Sequence, residues 1–281
     1  MTSTQTLIAV ATAEPGRRWP HRRPGSALGP LLGAIGIVGF LVLWEIVSLT
    51  GLVDTRFLPA PHTVLVRLVD YLRDLAFWRD VADTMTSWAI GLTISVVAAV
   101  ILGFLIGSSR FLEHATRSTI EFLRPIPSVA LIPLAVLLFG VKIQASLLLI
   151  IYASFWQVLI QVIYGSQDVD PVADATAKSY GLNRWQRIRH VVWPTTLPYL
   201  MTGIRLAATV ALVLAITSEL IIGTPGLGKQ IGLAQSSGDV VSMYALIIAT
   251  GLIGVAINLI ARFVERKVLG WHTSVRTELV G

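Results

Sequence analysis

The chain has 281 residues, 54% hydrophobic and 14% charged, with a formal net charge of +6 and a mean hydropathy of +0.73. A soluble domain carries about 25% charged residues, so this composition belongs in a bilayer, and the positive excess fits loops and anionic lipid heads, not nucleic acid. The absence of cysteine excludes disulfides, thiolate catalysis and cysteine-based metal sites, and His21, His62, His114, His190 and His272 are too scattered to form a metal pair on one helix face.

Residues 1–28 are polar and basic ("RRWPHRRPGS") and lead into an apolar run with no small-residue cleavage site, which reads as an uncleaved anchor over 29–53 carrying one acid, Glu45. Residues 54–84 form a loop. Within it, "HTVLVRLVDYLRDLAFW" places Leu65, Leu68, Val69, Leu72 and Leu75 at helical spacing with charges opposite, an amphipathic helix lying on the membrane or packed on its own protein. A span needs about 20 apolar residues. Met85–Ser108 qualifies, and "PIPSVALIPLAVLLFGV" (Pro125–Val141) comes close. Pro125, Pro127 and Pro133 rule out a regular helix there. Broken backbone at membrane depth is tolerated beside protein or a water-filled cavity, so this segment either lines a pathway near its gate or is a kink absorbed by packing.

Ile143–Gly165 is uncharged, and a polar insert at 168–198 follows it. Pro171 can open a helix behind Asp168 and Asp170, Gly181 can close it, and Asn183 can cap a second short helix. Pro194 and Pro198 then break the backbone before the next span. The product is a helix–turn–helix knob, for docking or as a solvated loop. The fifth span, Pro198–Ile222, contains Arg205, which reads as a snorkelling edge anchor, and Glu219, which either joins a gate network or snorkels at its end. "GTPGLGKQ" (Gly223–Gln230) departs from a phosphate-binding loop only at Gln230, where Ser or Thr would hold magnesium. With a membrane span before it in place of a strand, Pro225, Gly226 and Gly228 read as a tight turn instead. Val240–Ala261 is the sixth span, so the core covers 85–262 and a basic tail covers 263–281. With both termini cytoplasmic, sixteen of the 22 basic residues face inward, the arrangement favoured by the positive-inside rule.

The insert resembles the E-A-A-x3-G-x9-I-x-L-P loop of ABC importer permeases. Ala175, Thr176 and Ala177 stand at E-A-A, Gly181 at the glycine, Val191 and Trp193 at the two apolar positions and Pro194 at the proline. The glutamate is missing, and Asp174 lies one position early. "FLPAP" (Phe57–Pro61), "LRPIPSVALIPLAVLLFG" (Leu123–Gly140), "GLG" (Gly226–Gly228) and "ERKVLGWH" (Glu265–His272) resemble the nitrate/sulfonate/taurine-type branch.

That resemblance implies an all-α, polytopic type I ABC importer permease of about six transmembrane helices in a bacterial inner membrane. It implies no catalytic, metal or cofactor site in this chain, because two cytoplasmic ATPase subunits would bind ATP and magnesium. The 168–198 loop would couple to them through Asp174, Ala175, Thr176, Ala177, Gly181, Val191 and Pro194. An extracytoplasmic solute-binding protein or lipoprotein would meet the turn at Pro225, Gly226 and Gly228. A second copy would complete a homodimer in membrane lipid, with Pro125, Pro127, Pro133 and Glu219 as gate candidates and Ser128, Thr209, Thr217 and Ser218 along the path. The cargo would be a small solute such as an aliphatic sulfonate, taurine or nitrate. A secondary transporter or channel acting alone would show inverted repeats or ionisable residues at the midplane. A membrane enzyme would show clustered His, Asp or Glu. Neither pattern stands out in the sequence.

Overall fold

The computed structural model describes residues 28–270, and every element in it is helical. The basic tail at 1–27, with Arg17, Arg18, Arg22 and Arg23, and the stretch from 271 onward, with His272 and Arg276, lie outside the described residues. The helices are α1 (Leu28–Leu49), α2 (Pro61–Arg73), α3 (Leu75–Gly107), α4 (Arg110–Leu123), α5 (Ile132–Phe139), α6 (Ile143–Gln167), α7 (Pro171–Ser179), α8 (Arg184–Arg187), α9 (Trp193–Ile222), α10 (Leu227–Ser236) and α11 (Val240–Val268). Five stretches are long and apolar enough to cross a membrane: α1, α3, α6, α8 through α9, and α11. A sixth arises if α4 and the Ser128–Phe139 segment, bent by 80° at their junction, are taken as one broken span.

The centre is a three-helix seam of α3, α6 and α9. Small residues on α3 face α6: a Cβ added at Gly91 would strike Ile150, one at Gly103 would strike Val162, and one at Gly107 would strike Ser166. Both sets of numbers rise together, so α3 and α6 run parallel. Gly165 approaches Thr196 and Tyr199, while Gly203 approaches Val158 and Gln161, so α6 and α9 run antiparallel. Lipid supplies no hydrophobic force between helices, and small residues let backbones close to van der Waals contact. Parallel α3 and α6 require a crossing back between them, and α4, the 3₁₀ turn Ser128–Leu131 and α5 make it. Pro127 caps that turn and Pro133 sits in the first turn of α5, where a missing N–H leaves nothing unpaired. The third segment is therefore a broken return, too short on its own at about 1.5 Å per residue to span a ~30 Å core.

α1 stands apart, with apolar side chains exposed along its length. It is tied on near its end. The Trp44 indole N–H donates to Pro59 O at 3.1 Å, the Ser48 hydroxyl to Leu58 O at 3.0 Å, and Glu45 Oε1 meets His62 Nδ1 at 2.7 Å. Glu45 thus has a structural partner 17 residues on.

Besides α1 ending at Leu49 and α11 running on to Val268, into the stretch expected as tail, three features differ from the sequence expectations. α3 begins at Leu75, so the 54–84 stretch contains α2 and the first turns of α3. Asp74, extended at φ −90°, caps Ala76 N at 2.9 Å and splits the amphipathic run in two. Arg79, Asp80 and Asp83 in those first turns depress the local hydropathy and mask the helix. Second, Pro194 and Pro198 do not break the chain. Helix continues from Arg184 to Ile222, because a wide π turn at Ile188–Val192 accommodates Pro194, while Pro198 lies inside α9. Third, a ten-residue helix, α10, follows the turn after α9.

The seam makes a direct prediction. Gly103→Leu drives a side chain into Val162 and is expected to cost about 1–3 kcal/mol, read as a lower melting temperature of the detergent-solubilised protein. Gly36→Leu on α1, where an added Cβ meets nothing within 4 Å among the described residues, is expected to leave it unchanged.

Candidate functional site

The polar hairpin between α6 and α9 is built by local signals. Asp170 Oδ1 accepts from Val172 N at 2.8 Å and Pro171 opens α7. The helix ends in a Schellman turn: Leu182 N donates to Ala177 O at 3.0 Å and Gly181 N to Lys178 O at 2.9 Å, with Gly181 left-handed at φ +74°. Asn183 and Gln186 then cap each other reciprocally at 2.8 and 2.9 Å to start α8.

Asp174 braces the two arms. Its carboxylate takes Lys178 Nζ at 2.8 Å on α7 and the Arg187 guanidinium on α8, whose Nε lies 2.9 Å away. The Lys178 bond, then Arg187, hold its carboxyl below the usual carboxylate range. A depressed carboxylate stabilises the hairpin above its unfolded pKa, so the brace is intact at neutral pH and is lost only as acid titrates it. Asp174 therefore points into the hairpin, not out towards a partner. Ala177 is buried, Ala175 and Thr176 are exposed, and Val191 and Pro194 are half-buried. Trp193 stacks on Phe104 of α3 at 5.6 Å, which fixes the hairpin to the seam. Three large side chains remain uncovered: Val172 at 71%, Tyr180 at 81% and Trp185 at 70% exposure. A cavity of about 880 Å³ lies behind, between Phe104, Ser108, Ser166, Asp174 and Arg187. Pro125, beside Arg124, lines a second cavity of about 620 Å³ with Arg117, Glu121 and Tyr164 at the same end of the bundle.

The far end holds Glu219. It is fully buried and does not snorkel. Its Oε2 accepts from the Thr84 hydroxyl of α3 at 2.9 Å and from Gly228 N at the start of α10 at 3.0 Å. The Thr84 hydroxyl oxygen accepts in turn from Leu227 N at 3.0 Å. Oε1 has no partner. A Cβ on Gly226 would fall on this carboxylate, and one on Gly228 would strike Ile216 O and Glu219 Cβ, so both positions require glycine. The first turn of α10, where a phosphate would sit in a nucleotide-binding loop, is filled by the chain's own carboxylate. Pro225 is exposed at the turn.

Arg205 is not a free anchor either, because its Nη1 meets Glu265 Oε2 of α11 at 3.0 Å. Thr209 lines an open groove of about 580 Å³ between α9 and α11, opposite Thr250 and Asn258. Ser218 is buried and Thr217 and Ser128 are half-buried. Sequence reasoning missed Thr84 and Glu265, which lie 135 and 60 residues from their partners and have no local signal.

A bundle of membrane-length helices with a braced polar hairpin between two of them defines a polytopic membrane protein. Residues 91–270 match the family described as binding-protein-dependent transport system inner membrane component, and the chain belongs to that family. It is 29% identical over 267 residues to the taurine transport system permease protein TauC of Escherichia coli, covering 92% of this chain and 94% of that protein. It is 27% identical over 256 residues to the bicarbonate transport system permease protein CmpB of Synechococcus elongatus, covering 86% and 90%. It is 30% identical over 235 residues to the Escherichia coli SsuC permease, named for aliphatic sulfonates, covering 84% and 89%. Among solved structures, an ABC transporter involved in import of the polysaccharide alginate superposes with a TM-score of 0.61 at 13% identity, covering 86% of this chain and 97% of that one. The MetNI methionine transporter gives 0.59 at 18%, covering 69% and 96%. The chain is thus a multi-pass inner-membrane permease subunit of an ABC importer, not a catalytic enzyme.

The Arg205–Glu265 pair is testable by charge exchange. Arg205→Glu or Glu265→Arg alone is expected to lower the melting temperature of the solubilised protein. The double exchange is expected to recover most of the loss, with a coupling of about 0.5–3 kcal/mol.

Proposed function

We propose that this permease imports a small solute carrying an anionic group, with the hairpin around Gly181 facing the cytoplasm and seated on a separate ATPase subunit. The observation that carries the reading is the hairpin itself. Its first arm is capped at both ends and its second at the start, the two are braced by Asp174, and exposed Val172, Tyr180 and Trp185 crown them. A solvated connection needs none of that rigidity, whereas a part that must transmit force does. ATP and magnesium bind the partner, and two ATPase subunits serve two copies of this chain arranged as a homodimer. Both termini are cytoplasmic, in keeping with the basic residues of the tails and the hairpin. A solute-binding protein delivers cargo at the opposite end, near Pro225, Gly226 and Gly228, and the broken return with Pro125, Pro127 and Pro133 borders the pathway. The cargo class, an aliphatic sulfonate, taurine or nitrate, draws support from the names of the relatives, whose solutes include taurine, aliphatic sulfonates and bicarbonate.

Gly181 is the point to test, because its left-handed φ excludes branched side chains although the space around it is open. A residue with a Cβ loses roughly 1–2 kcal/mol there, and asparagine tolerates the conformation better. Gly181→Val is expected to insert normally while abolishing ATP-driven uptake of taurine, sulfonate, nitrate and bicarbonate probes. Gly181→Asn is expected to retain most uptake. Unchanged uptake in Gly181→Val contradicts the coupling role.

A further inference from the structure

We propose that Glu219 and Thr84 are positioning residues for transport, forming a clasp through which movement of α9 is passed to α3 and α10 at the far end of the bundle. α9 is 30 residues long, about 45 Å of continuous rod at 1.5 Å per residue. One end grows out of the hairpin and the other carries Glu219. The hydrogen bonds there are interdependent. One Thr84 hydroxyl donates to Glu219 and accepts from Leu227 N, and the same Glu219 oxygen takes Gly228 N. Removing the hydroxyl would orphan a buried N–H and weaken the hold on a buried carboxylate, a loss larger than that of one exposed bond. Sliding is blocked as well, because Gly228 lies against the backbone of α9 at Ile216 and Leu220. Beyond the clasp, Leu227 and Ile231 of α10 pack with Val64 and Leu68 of α2 and with Leu246 of α11. A shift of α9 therefore carries these ends as one rigid cap.

The chain has no cysteine, so the clasp can be replaced by a covalent tie. Asp80 on α3 faces Gln230 on α10, and Asp80→Cys with Gln230→Cys can be joined by a reducible bifunctional methanethiosulfonate. This arm rests on the proposed docking to an ATPase and uses the purified permease–ATPase complex. Thr84→Val is expected to raise ATP hydrolysis per assembled complex roughly fivefold, as hydrolysis is released from the far end, the scale of one lost buried hydrogen bond. Thr84→Ser, which keeps the hydroxyl, is expected to restore the ordinary rate. Linking the cysteine pair in Thr84→Val is also expected to restore it, and reduction to undo the repair. An unchanged rate in Thr84→Val, no repair on linking, or loss of hydrolysis when the pair is linked with Thr84 intact overturns the proposal. A purely structural role would lower the amount of complex without changing its rate.

A second arm uses the permease alone and separates the two readings. Buried Ile231→Cys is expected to react with a membrane-impermeant maleimide roughly fivefold faster with Thr84→Val but not with Thr84→Ser. Equal labelling overturns the clasp even if the ATPase docks. If no ATPase subunit copurifies, the docking reading fails while this arm still decides the clasp.

Discussion

Apolar helices in lipid gain nothing by hydrophobicity from meeting one another, and close backbone approach is what holds this bundle together. α3 meets α6 through Gly91, Ser95, Ala99 and Gly103, and α6 meets α9 through Gly165, Ser154 and Gly203. Such contacts draw the three helices into one close-packed layer with α6 in the middle. Everything of functional interest hangs from its two ends. The hairpin joins α6 to α9 at one end and is stapled to α3 by Trp193 on Phe104. The glycine-rich turn follows α9 at the other.

The two ends are held by different chemistry. The hairpin is polar and half-solvated. It is kept in shape by capping bonds and by a carboxylate satisfied by two cations, so its surface is free to present aromatic and apolar groups. The far end is buried and carries an acid bonded by neutral donors only among the described residues, with backbone N–H groups brought within reach by glycines. An unsatisfied buried carboxylate is expensive, so this geometry tolerates little displacement. α9 connects a braced, half-solvated docking surface to a buried clasp.

Much of this was legible in the sequence because it is encoded locally. Hydropathy located the long helices. Asp170, Pro171, Gly181 and Asn183 announced the hairpin, since a cap or a left-handed turn depends on residues within a few positions. Local signals failed in two ways. Charged first turns hid the start of α3, and prolines that usually end a helix were absorbed by a π turn ahead of α9. The partners of Glu45, Arg205 and Glu219 were invisible for a different reason, because pairs 17, 60 and 135 residues apart exist only after the chain has folded. The shifted acid of the loop motif illustrates the same limit. Asp174 falls beside the expected position in sequence, but its Arg187 partner is apparent only in three dimensions.

The central claim, that the hairpin is the contact with the ATPase, is tested most directly by a single reactive group at its tip. The cysteine-free chain carrying Tyr180→Cys, labelled with a short maleimide–benzophenone, assembled with the ATPase and illuminated so that the benzophenone inserts into a neighbouring C–H bond, is expected to give a covalent permease–ATPase adduct. Lys229→Cys, on α10 beyond the far end of α9, is expected to give none. An adduct from Lys229→Cys and not from Tyr180→Cys would contradict the account.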